Sequence, residues 1–222
     1  KKLNCNMRYI SYSLWGDNEL YNIGMIKNAQ QVSEIYSGWQ MIVYHDNSVP
    51  TETLNILENL NVKLVNVDGH THGMFWRFFA SDLIDCEYAI FRDGDSRLSV
   101  REKMAVDEWI ESGKTIHVMR DHPAHQIPYG NNGLGILGGM WGIKGNTIPM
   151  KDSIENFSKN KTMGYGIDQT FLKTIYNVFE NDRCTHDDFF EKKPFPIKRE
   201  NGRFIGERMN INDEPFNNDY LA

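Results

Sequence analysis

At 222 residues, the chain is long enough to bury a substantial hydrophobic core within one domain. Apolar residues make up 40% of it and charged residues 24%, a composition that is typical of a globular protein and excludes a highly charged disordered chain. The formal net charge of −6 argues against nucleic acid as the main partner, because binding a phosphate backbone requires a basic surface. A nucleotide diphosphate stays a candidate ligand if a divalent cation supplies positive charge locally.

In chain order, strand-like and helical patterns alternate along the first half of the sequence. We predict a strand at 7–14, a helix at 19–36, a strand at 39–44, a helix at 51–60, a strand at 62–67, a helix at 73–83, a strand at 87–92, a helix at 99–112 and a strand at 115–119. The helix at 99–112 has the clearest boundaries, because Ser99 and Glu102 form a capping-box pattern and Gly113 follows its last turn. This alternation predicts a single α/β domain, Rossmann-like, with a mostly parallel central sheet flanked by helices.

The second half of the sequence is less regular. Residues 121–135 are rich in His, Pro, Asn and Gly and predict a long loop. Residues 136–143 predict a glycine-laced strand, where backbone or a ligand must approach closely. A helical pattern over 166–179 precedes a terminal region of loops and short strands, and no linker divides the chain.

The cysteines and the apolar segments indicate a cytoplasmic protein. Cys5, Cys86 and Cys184 form neither a disulfide framework nor a zinc motif, so we expect reduced thiols. The sequence has no signal peptide and no apolar run near the roughly 20 residues that span a bilayer, so we predict no membrane segment in this chain. N-glycosylation tripeptides at Asn156 and Asn160 favour the alternative of a Golgi-type lumenal location, which requires that an N-terminal anchor has been removed.

The strongest functional signal is the segment Arg92-Asp-Gly-Asp-Ser-Arg. Asp93 and Asp95 follow an apolar strand, and alternate residues of a strand point to one face, so we expect both carboxylates to point the same way. Open α/β sheets bind ligands at the carboxyl ends of their strands. Two carboxylates there form an oxygen-rich site suited to Mn²⁺ or Mg²⁺, with diphosphate oxygens and water as further ligands. The alternative is a solvated turn, since Asp-Gly is common in hairpins.

In segment order and in its Asp-x-Asp motif, the chain resembles the GT-A glycosyltransferases, the nucleotide-diphospho-sugar transferase fold. This resemblance covers most of the chain in segment order. Beyond it, a set of motifs together resembles a group of little-characterised transferases: Ile10-Ser-Tyr-Ser-Leu-Trp-Gly-Asp, Phe75-Trp-Arg-Phe, Arg92-Asp-Gly-Asp-Ser-Arg, Met119-Arg-Asp-His-Pro, Gly138-Gly-Met-Trp-Gly and Asp168-Gln-Thr-Phe-Leu. The resemblance implies a metal-dependent transfer of a sugar from a UDP- or GDP-sugar to a hydroxyl of a carbohydrate or other acceptor. It also implies that residues 1–98 form the nucleotide-sugar-binding half and residues 99–222 the acceptor-side half.

Similarity to the retaining family 8 transferases adds two predictions for the site. In that family an Asp-Gln pair follows the glycine-rich strand, and a late histidine completes the metal site. The counterparts here are Asp168-Gln169 and His186, so the resemblance implies His186 as a third metal ligand beside Asp93 and Asp95. The spacing around His186 differs from the family pattern, and the glycine that follows the family's histidine is missing.

We expect the nucleotide at the end of the first strand. Backbone groups of Ser11 and Tyr12 are candidates for pairing with the base edge, and the rings of Tyr12 and Trp15 for stacking on it; a plain core strand is the alternative. Asp46, which ends the second strand, is a candidate for binding ribose hydroxyls or for a turn. Arg77 is a charge on an apolar helix and therefore needs a partner. Its guanidinium suits a phosphate or the Asp-x-Asp carboxylates, and a structural ion pair is the alternative.

Sugar-binding candidates follow the fifth strand and occupy the glycine-rich segment. Asp121 and His122 are candidates for hydrogen bonds to sugar or acceptor hydroxyls, whereas a zinc site with His125 lacks further ligands at a recognisable spacing. Gly139 permits a sugar to approach closely, and Trp141 is a candidate for packing on its apolar face. A tightly packed core strand is the alternative for this segment.

Asp168 is the best candidate for a catalytic carboxylate, although in the first turn of a helix it can simply favour the dipole. Glycosyl transfer passes through an oxocarbenium-like transition state with a diphosphate leaving group. In an inverting enzyme, Asp168 or Asp121 would act as general base. In a retaining enzyme, which the Asp-Gln resemblance favours, the leaving phosphate takes the proton and Asp168 or Gln169 stabilises the cation.

Two other classes of function stay open. A nucleotidyltransferase uses a similar sheet and metal, but residues 11–18 lack the Gly- and Lys/Arg-rich phosphate loop with which such enzymes usually begin. A non-catalytic nucleotide- or carbohydrate-binding module is the second, because no general base is unambiguous.

Basic residues near the end, among them Arg208, are candidates for a mobile flap over the diphosphate.

Overall fold

Seven strands form the central sheet of the computed structural model, which describes residues 6–69, 72–126 and 135–217. The strands are β1 (Met7–Leu14), β2 (Gln40–His45), β3 (Lys63–Asn66), β4 (Cys86–Phe91), β5 (Ile116–Arg120), β6 (Trp141–Lys144) and β7 (Arg183–Asp187). Their order is β3-β2-β1-β4-β6-β5-β7, and neighbours are parallel except where β6 pairs with β4 and β5. The prediction of a single α/β domain with a mostly parallel sheet is confirmed.

Helices connect the strands and cover the sheet. They are α1 (Glu19–Ile35), α2 (Thr51–Asn59), α3 (Gly73–Trp76), α4 (Val100–Ser112), α5 (Met150–Ser158) and α6 (Ile167–Val178), with 3₁₀ helices at Arg77–Asp82 and Pro123–Gln126. Within the described ranges, no helix combines the length and the apolar character needed to cross a membrane.

Apolar side chains pack against both faces of the sheet. Ile10 and Tyr12 of β1 belong to one buried cluster, which includes Trp109 of α4. Phe91 of β4 belongs to a second cluster, which includes Phe171 of α6. Burial on both faces explains why the parallel strands read as nearly continuous apolar runs.

The predicted boundaries of α4 are confirmed, whereas the helix predicted at 73–83 is divided. The Ser99 and Glu102 capping box is present, and Gly113 ends α4 in the left-handed conformation with φ of 68°. The segment 73–83 is instead one short α-helical turn followed by a 3₁₀ helix. The backbone N–H of Arg77 donates to Ser13 Oγ at 2.9 Å, which removes it from the α-helical hydrogen-bond ladder.

Two further elements differ from the sequence prediction. The strand predicted at 136–143 begins only at Trp141, because a turn closes in front of it with Met140 N donating to Leu137 O at 3.0 Å. Helix α5 has no predicted counterpart. Its first amides, those of Met150 and Lys151, donate to the carboxylate of Asp82 at 2.9 and 2.8 Å, so a residue distant in sequence caps it.

Candidate active site

A cavity of about 1140 Å³ opens where β1 and β4 end. Its wall combines the segment after β1, the Asp-Gly-Asp segment after β4, the glycines before β6, the start of α6 and the C-terminal segment. The main contributors are residues 13–18, 93–95, 137–140, 165, 166, 168, 169 and 206–208. Because β6 is antiparallel, its first residues meet the carboxyl end of β4, and this brings the glycines to the Asp-Gly-Asp segment.

The two carboxylates predicted as metal ligands, Asp93 and Asp95, line this cavity, but they do not lie on a strand. Strand β4 ends at Phe91, and Asp93 and Asp95 occupy the turn that follows, in which Ser96 N donates to Asp93 O at 3.3 Å. The expectation that strand alternation aligns the two carboxylates was therefore wrong in its premise. The turn brings both to the same cavity instead.

Arg77 connects the Asp-Gly-Asp segment to α6. Its Nη1 forms an ion pair with Asp93 Oδ1, and its Nη2 donates to Asp168 Oδ2 at 3.1 Å. The guanidinium is buried, and attraction by Asp93 and Asp168 outweighs the opposing effect of burial and raises the pKa of Arg77. Of the two Asp-x-Asp carboxylates, Arg77 therefore pairs with Asp93, while Asp168 joins the same cluster and Asp95 pairs with Arg208. Contact of Arg77 with a phosphate stays a prediction.

Two glycines make room for this cluster. A Cβ atom at Gly138 would overlap Arg77 Nη2 and Asp168 Oδ2, and a Cβ atom at Gly139 would overlap Asp93 Oδ2. The close approach expected for the glycine-rich segment thus serves the charged side chains themselves. These glycines have ordinary backbone angles, so space rather than conformation requires them.

Asp168 is one of two buried carboxylates in the described cavity wall, the other being Glu207. It lies in the first turn of α6, its side chain is 3% exposed, and its Oδ1 atom has no hydrogen-bond partner among the described residues. Burial raises the pKa of Asp168, and the adjacent Arg77 opposes that effect. Gln169, the next residue, also lines the cavity.

Asp93 and Asp95 fit a divalent cation. Arg208 Nε donates to Asp95 Oδ2 at 2.7 Å, so each carboxylate engages one arginine through one oxygen. Burial and the nearby Asp93 raise the pKa of Asp95, and a cation between the two groups would relieve that repulsion. In the described ranges, no group of three His, Cys, Asp or Glu residues is arranged to hold a metal. Two carboxylates with phosphate oxygens and water are nevertheless a common ligand set for Mg²⁺.

Of the residues predicted for the nucleotide, Trp15 and Arg77 line the cavity, and three others do not. Ser11 is fully buried, its Oγ donates to Arg77 O at 2.6 Å, and its carbonyl accepts from Arg92 N within the sheet. Tyr12 is buried in the core, and Asp46 accepts hydrogen bonds from Ser48 in a turn. The assignments of Ser11 and Tyr12 were wrong, because the sheet and the core already use these residues, whereas Asp46 adopts the turn that the sequence analysis gave as its alternative.

Asp121 and His122 also lie outside the cavity wall. Asp121 is fully buried, and its carboxylate accepts from Arg101, Arg199 and the backbone N–H of Ile205. The general-base role predicted for Asp121 is therefore contradicted. His122 is 4% exposed and packs against Phe204, whereas the next histidine, His125, does line the cavity.

Trp141 and His186 are corrected as well. Trp141 is fully buried on β6 and packs against Phe78 and Phe91, so the core alternative is right and no sugar reaches its ring. His186 lies on β7 with one ring nitrogen 2.8 Å from His117 Nε2 and the other 3.0 Å from Glu108 Oε2. Both ring nitrogens are engaged away from the cavity, so His186 does not join Asp93 and Asp95 as a ligand.

The sequence interpretation missed Tyr165, Glu207 and Phe216, all of which line the cavity. The sequence did carry a signal for Tyr165, because an aromatic residue between two glycines, Gly164 and Gly166, is typical of an exposed loop rather than of a core. Glu207 and Phe216 lie in a segment without regular structure, where periodicity gives no signal.

No protein-family model and no curated protein sequence matches the chain. Among solved structures, it is similar to glucosyl-3-phosphoglycerate synthase from Mycobacterium tuberculosis in complex with phosphoglyceric acid, with 10% identity and a TM-score of 0.51 over 88% of this chain and 72% of that chain. It is also similar to the glycosyltransferase GlyE of Streptococcus pneumoniae, with 15% identity and a TM-score of 0.54. This match covers 82% of this chain and 46% of GlyE. An active-site mutant of LgtC is similar with 14% identity and a TM-score of 0.52, over 82% of this chain and 73% of that chain. The chain therefore has a GT-A-type fold, the fold of these glycosyltransferases.

Proposed function

We propose that this protein is a metal-dependent glycosyltransferase that moves a sugar from a nucleotide-diphosphate donor, a UDP- or GDP-sugar, to a hydroxyl of an acceptor. The observation that carries the proposal is the cluster in which Arg77 joins Asp93 to Asp168 at the end of β4. Ligands of open α/β sheets bind at such strand ends. The likeness of the fold to known glycosyltransferases supports the same reading.

Asp93 and Asp95 would hold Mn²⁺ or Mg²⁺. When bound, the cation supplies positive charge to the leaving diphosphate. Arg77 holds Asp93 in place from a buried position, and the missing side chain at Gly139 makes the room that Asp93 Oδ2 occupies. The chain itself thus contributes a fixed pair of carboxylates rather than two mobile ones.

Arg208 and Trp15 would bind the two ends of the nucleotide. The Arg208 side chain is 57% exposed and lines the cavity, so its guanidinium can reach a diphosphate oxygen while staying close to Asp95. The Trp15 ring is 45% exposed at the end of β1 and stands edge-on to Trp76, which leaves ring surface for a base.

Asp168 and Gln169 would act on the sugar. In a retaining reaction, the leaving phosphate takes the acceptor proton while Asp168 stabilises positive charge on the sugar ring and Gln169 donates to its hydroxyls. In an inverting reaction, Asp168 accepts the proton. The burial that raises the pKa of Asp168 favours proton acceptance, whereas its pairing with Arg77 favours the charged form, so the Asp-Gln resemblance tilts the proposal towards retention.

A nucleotidyltransferase is a weaker alternative. The N-terminus of α1 follows β1, where such an enzyme would bind phosphate, but here the Asn18 side chain caps it by accepting from Leu20 N at 2.9 Å. Residues 15–18 also lack a basic side chain. The segment after β1 therefore has no phosphate-binding loop, and a diphosphate would instead bind through a cation at Asp93 and Asp95.

The test is release of nucleotide diphosphate from a panel of UDP- and GDP-sugars in the presence of Mn²⁺. We expect release with at least one donor, and we expect Asp93→Asn and Asp95→Asn each to lower metal-dependent nucleotide binding about 100-fold, since each removes a charged ligand. Asp107→Asn is the matched control, because Asp107 pairs with Lys103 on the surface of α4. Full nucleotide affinity in both cavity variants, or no release and no binding with any donor, would overturn the proposal.

A further inference from the structure

The exposed aromatic side chains of the described residues are confined to one place. Trp15, Tyr21, Tyr165 and Phe216 are 45%, 38%, 99% and 55% exposed, and every other Phe, Tyr and Trp in the described ranges is buried or half-buried. All four line the cavity that holds Asp93 and Asp168. Exposed aromatic rings cost free energy in water unless a ligand covers them, so their concentration here indicates a ligand with apolar faces.

Tyr165 is the most exposed of the four and lies nearest in sequence to Asp168. It stands three residues before Asp168, in the loop that leads into α6, between Gly164 and Gly166. Gly166 has φ of 82°, a left-handed conformation that turns the chain sharply before the helix. A ring with almost complete exposure contributes little to folding, so its apolar surface is available to a ligand.

The charges of the cavity wall restrict which ligand that can be. The described wall carries five carboxylates, at Asp17, Asp93, Asp95, Asp168 and Glu207, against two arginines. Both arginines are already paired, Arg77 with Asp93 and Asp168 and Arg208 with Asp95, and Glu207 pairs with Arg203, which lies outside the wall. Counting Arg203, three arginines face five carboxylates.

The remaining basic group of the described wall adds no positive charge near neutral pH. Burial and the neighbouring His122 lower the pKa of His125 to about 4, so its ring is neutral there. The cation and Arg208 are committed to the donor diphosphate in the proposed function. An acceptor that carried a phosphate or carboxylate would therefore meet more carboxylates than cations, with each of these arginines already engaged.

We infer that the acceptor is an uncharged carbohydrate whose ring stacks on Tyr165. This inference rests on the proposed function and names its acceptor. The C–H face of a pyranose is apolar and fits against an aromatic ring, while its hydroxyls reach the polar groups around Asp168 and Gln169. The acceptor thus differs in charge from phosphoglyceric acid, the anion in the mycobacterial synthase structure.

The experiment is saturation-transfer NMR on the intact chain with Mg²⁺ and saturating UDP or GDP, so that the diphosphate rather than a probe occupies the cation and Arg208. The probes are two neutral sets, methyl glycosides and the disaccharides lactose and maltose, and one anionic set, glucose 6-phosphate, galactose 6-phosphate and 3-phosphoglycerate. We expect signal from at least one neutral sugar, insensitive to salt, and none from the anionic set at 0.15 M ionic strength. Tyr165→Ala should weaken the neutral sugar about tenfold and Tyr165→Phe should retain it, because the ring face makes the contact.

Val178→Ala is the matched control, since Val178 is a 72% exposed apolar residue of α6 outside the cavity wall. Tighter binding of the anionic set, no binding of any sugar, or unchanged affinity in Tyr165→Ala would overturn the inference. Calorimetry of nucleotide binding, measured separately, distinguishes failure of this inference from failure of the proposed function. A chain that binds a nucleotide sugar but prefers anionic acceptors retains the proposed function and loses this inference. A chain that binds neutral sugars through Tyr165 and no nucleotide retains the sugar site and loses the proposed function.

Discussion

Arg77 Nη2 donates to Asp168 Oδ2 at 3.1 Å, and this bond joins the segment before β4 to the first turn of α6, 91 residues further along the chain. Both side chains are buried, at 8% and 3% exposure. A buried ion pair of this kind is sensitive to the loss of one partner, because the other charge is then left without compensation. The pair therefore couples the stability of the domain to the geometry of the candidate active site.

Replacing Arg77 tests that coupling. We expect Arg77→Met to lower the free energy of unfolding by about 3–5 kcal/mol, since Asp93 and Asp168 lose their shared counter-charge. Urea unfolding measures this directly. Arg77→Lys keeps the charge but not the forked geometry, so we expect a smaller loss of stability together with a clear loss of nucleotide affinity. Unchanged stability in Arg77→Met would show that the ion pairs contribute nothing to the fold.

Gly139→Ala should impair the site without unfolding the protein. Its new Cβ would overlap Asp93 Oδ2 and displace that carboxylate, so we expect metal-dependent nucleotide binding to fall about 100-fold, the usual effect of a misplacement near 1 Å. Gly164→Ala is the control, because a Cβ there meets no atom within 4 Å and no positive φ is required. Equal nucleotide affinity in the two variants would remove the spatial role of Gly139.

Asp121 and Asp168 should separate stability from activity. Asp121 lies outside the cavity and compensates Arg101 and Arg199, so we expect Asp121→Asn to cost about 3–5 kcal/mol of stability while leaving the KM for the donor unchanged. Asp168→Asn should lower kcat by about 100-fold or more. Steady-state kinetics at 15 °C, where both variants are more fully folded, distinguishes these effects. A kcat loss in Asp121→Asn as large as that in Asp168→Asn would restore Asp121 as a catalytic candidate.

His125 should make the protein less stable in acid. Burial and the neighbouring His122 lower the pKa of His125 from its ordinary value of 6.5 to about 4. Between these pH values the unfolded chain binds a proton that the folded chain does not, so the free energy of unfolding falls as pH falls. The loss from this residue is at most about 3 kcal/mol. Urea unfolding of wild type and His125→Asn at pH 7 and pH 5 measures it. We expect a shallower pH dependence in the variant, and equal slopes would contradict the assignment.

Most of the fold and part of the site follow from local sequence patterns. The capping box at Ser99 and the alternation of strands and helices were predicted correctly, because neighbouring residues determine them. Helix α5 was missed, because its N-terminal cap comes from Asp82 rather than from an adjacent residue. A cap of this kind depends on a contact between distant segments, which local sequence patterns do not show.

The sequence by itself determined that Asp93 and Asp95 follow a buried strand, because an apolar run and the carboxylates after it are adjacent in the chain. Only the tertiary structure decided that Asp168, and not Asp121, shares their cavity. The physical reason lies in strand order and burial. Antiparallel β6 lies between β4 and β5 and places Gly139 against Asp93, whereas Asp121 is fully buried in ion pairs with Arg101 and Arg199. Arg77 also forms an ion pair with Asp168, and no local sequence pattern predicts that contact because the two residues are distant in the chain.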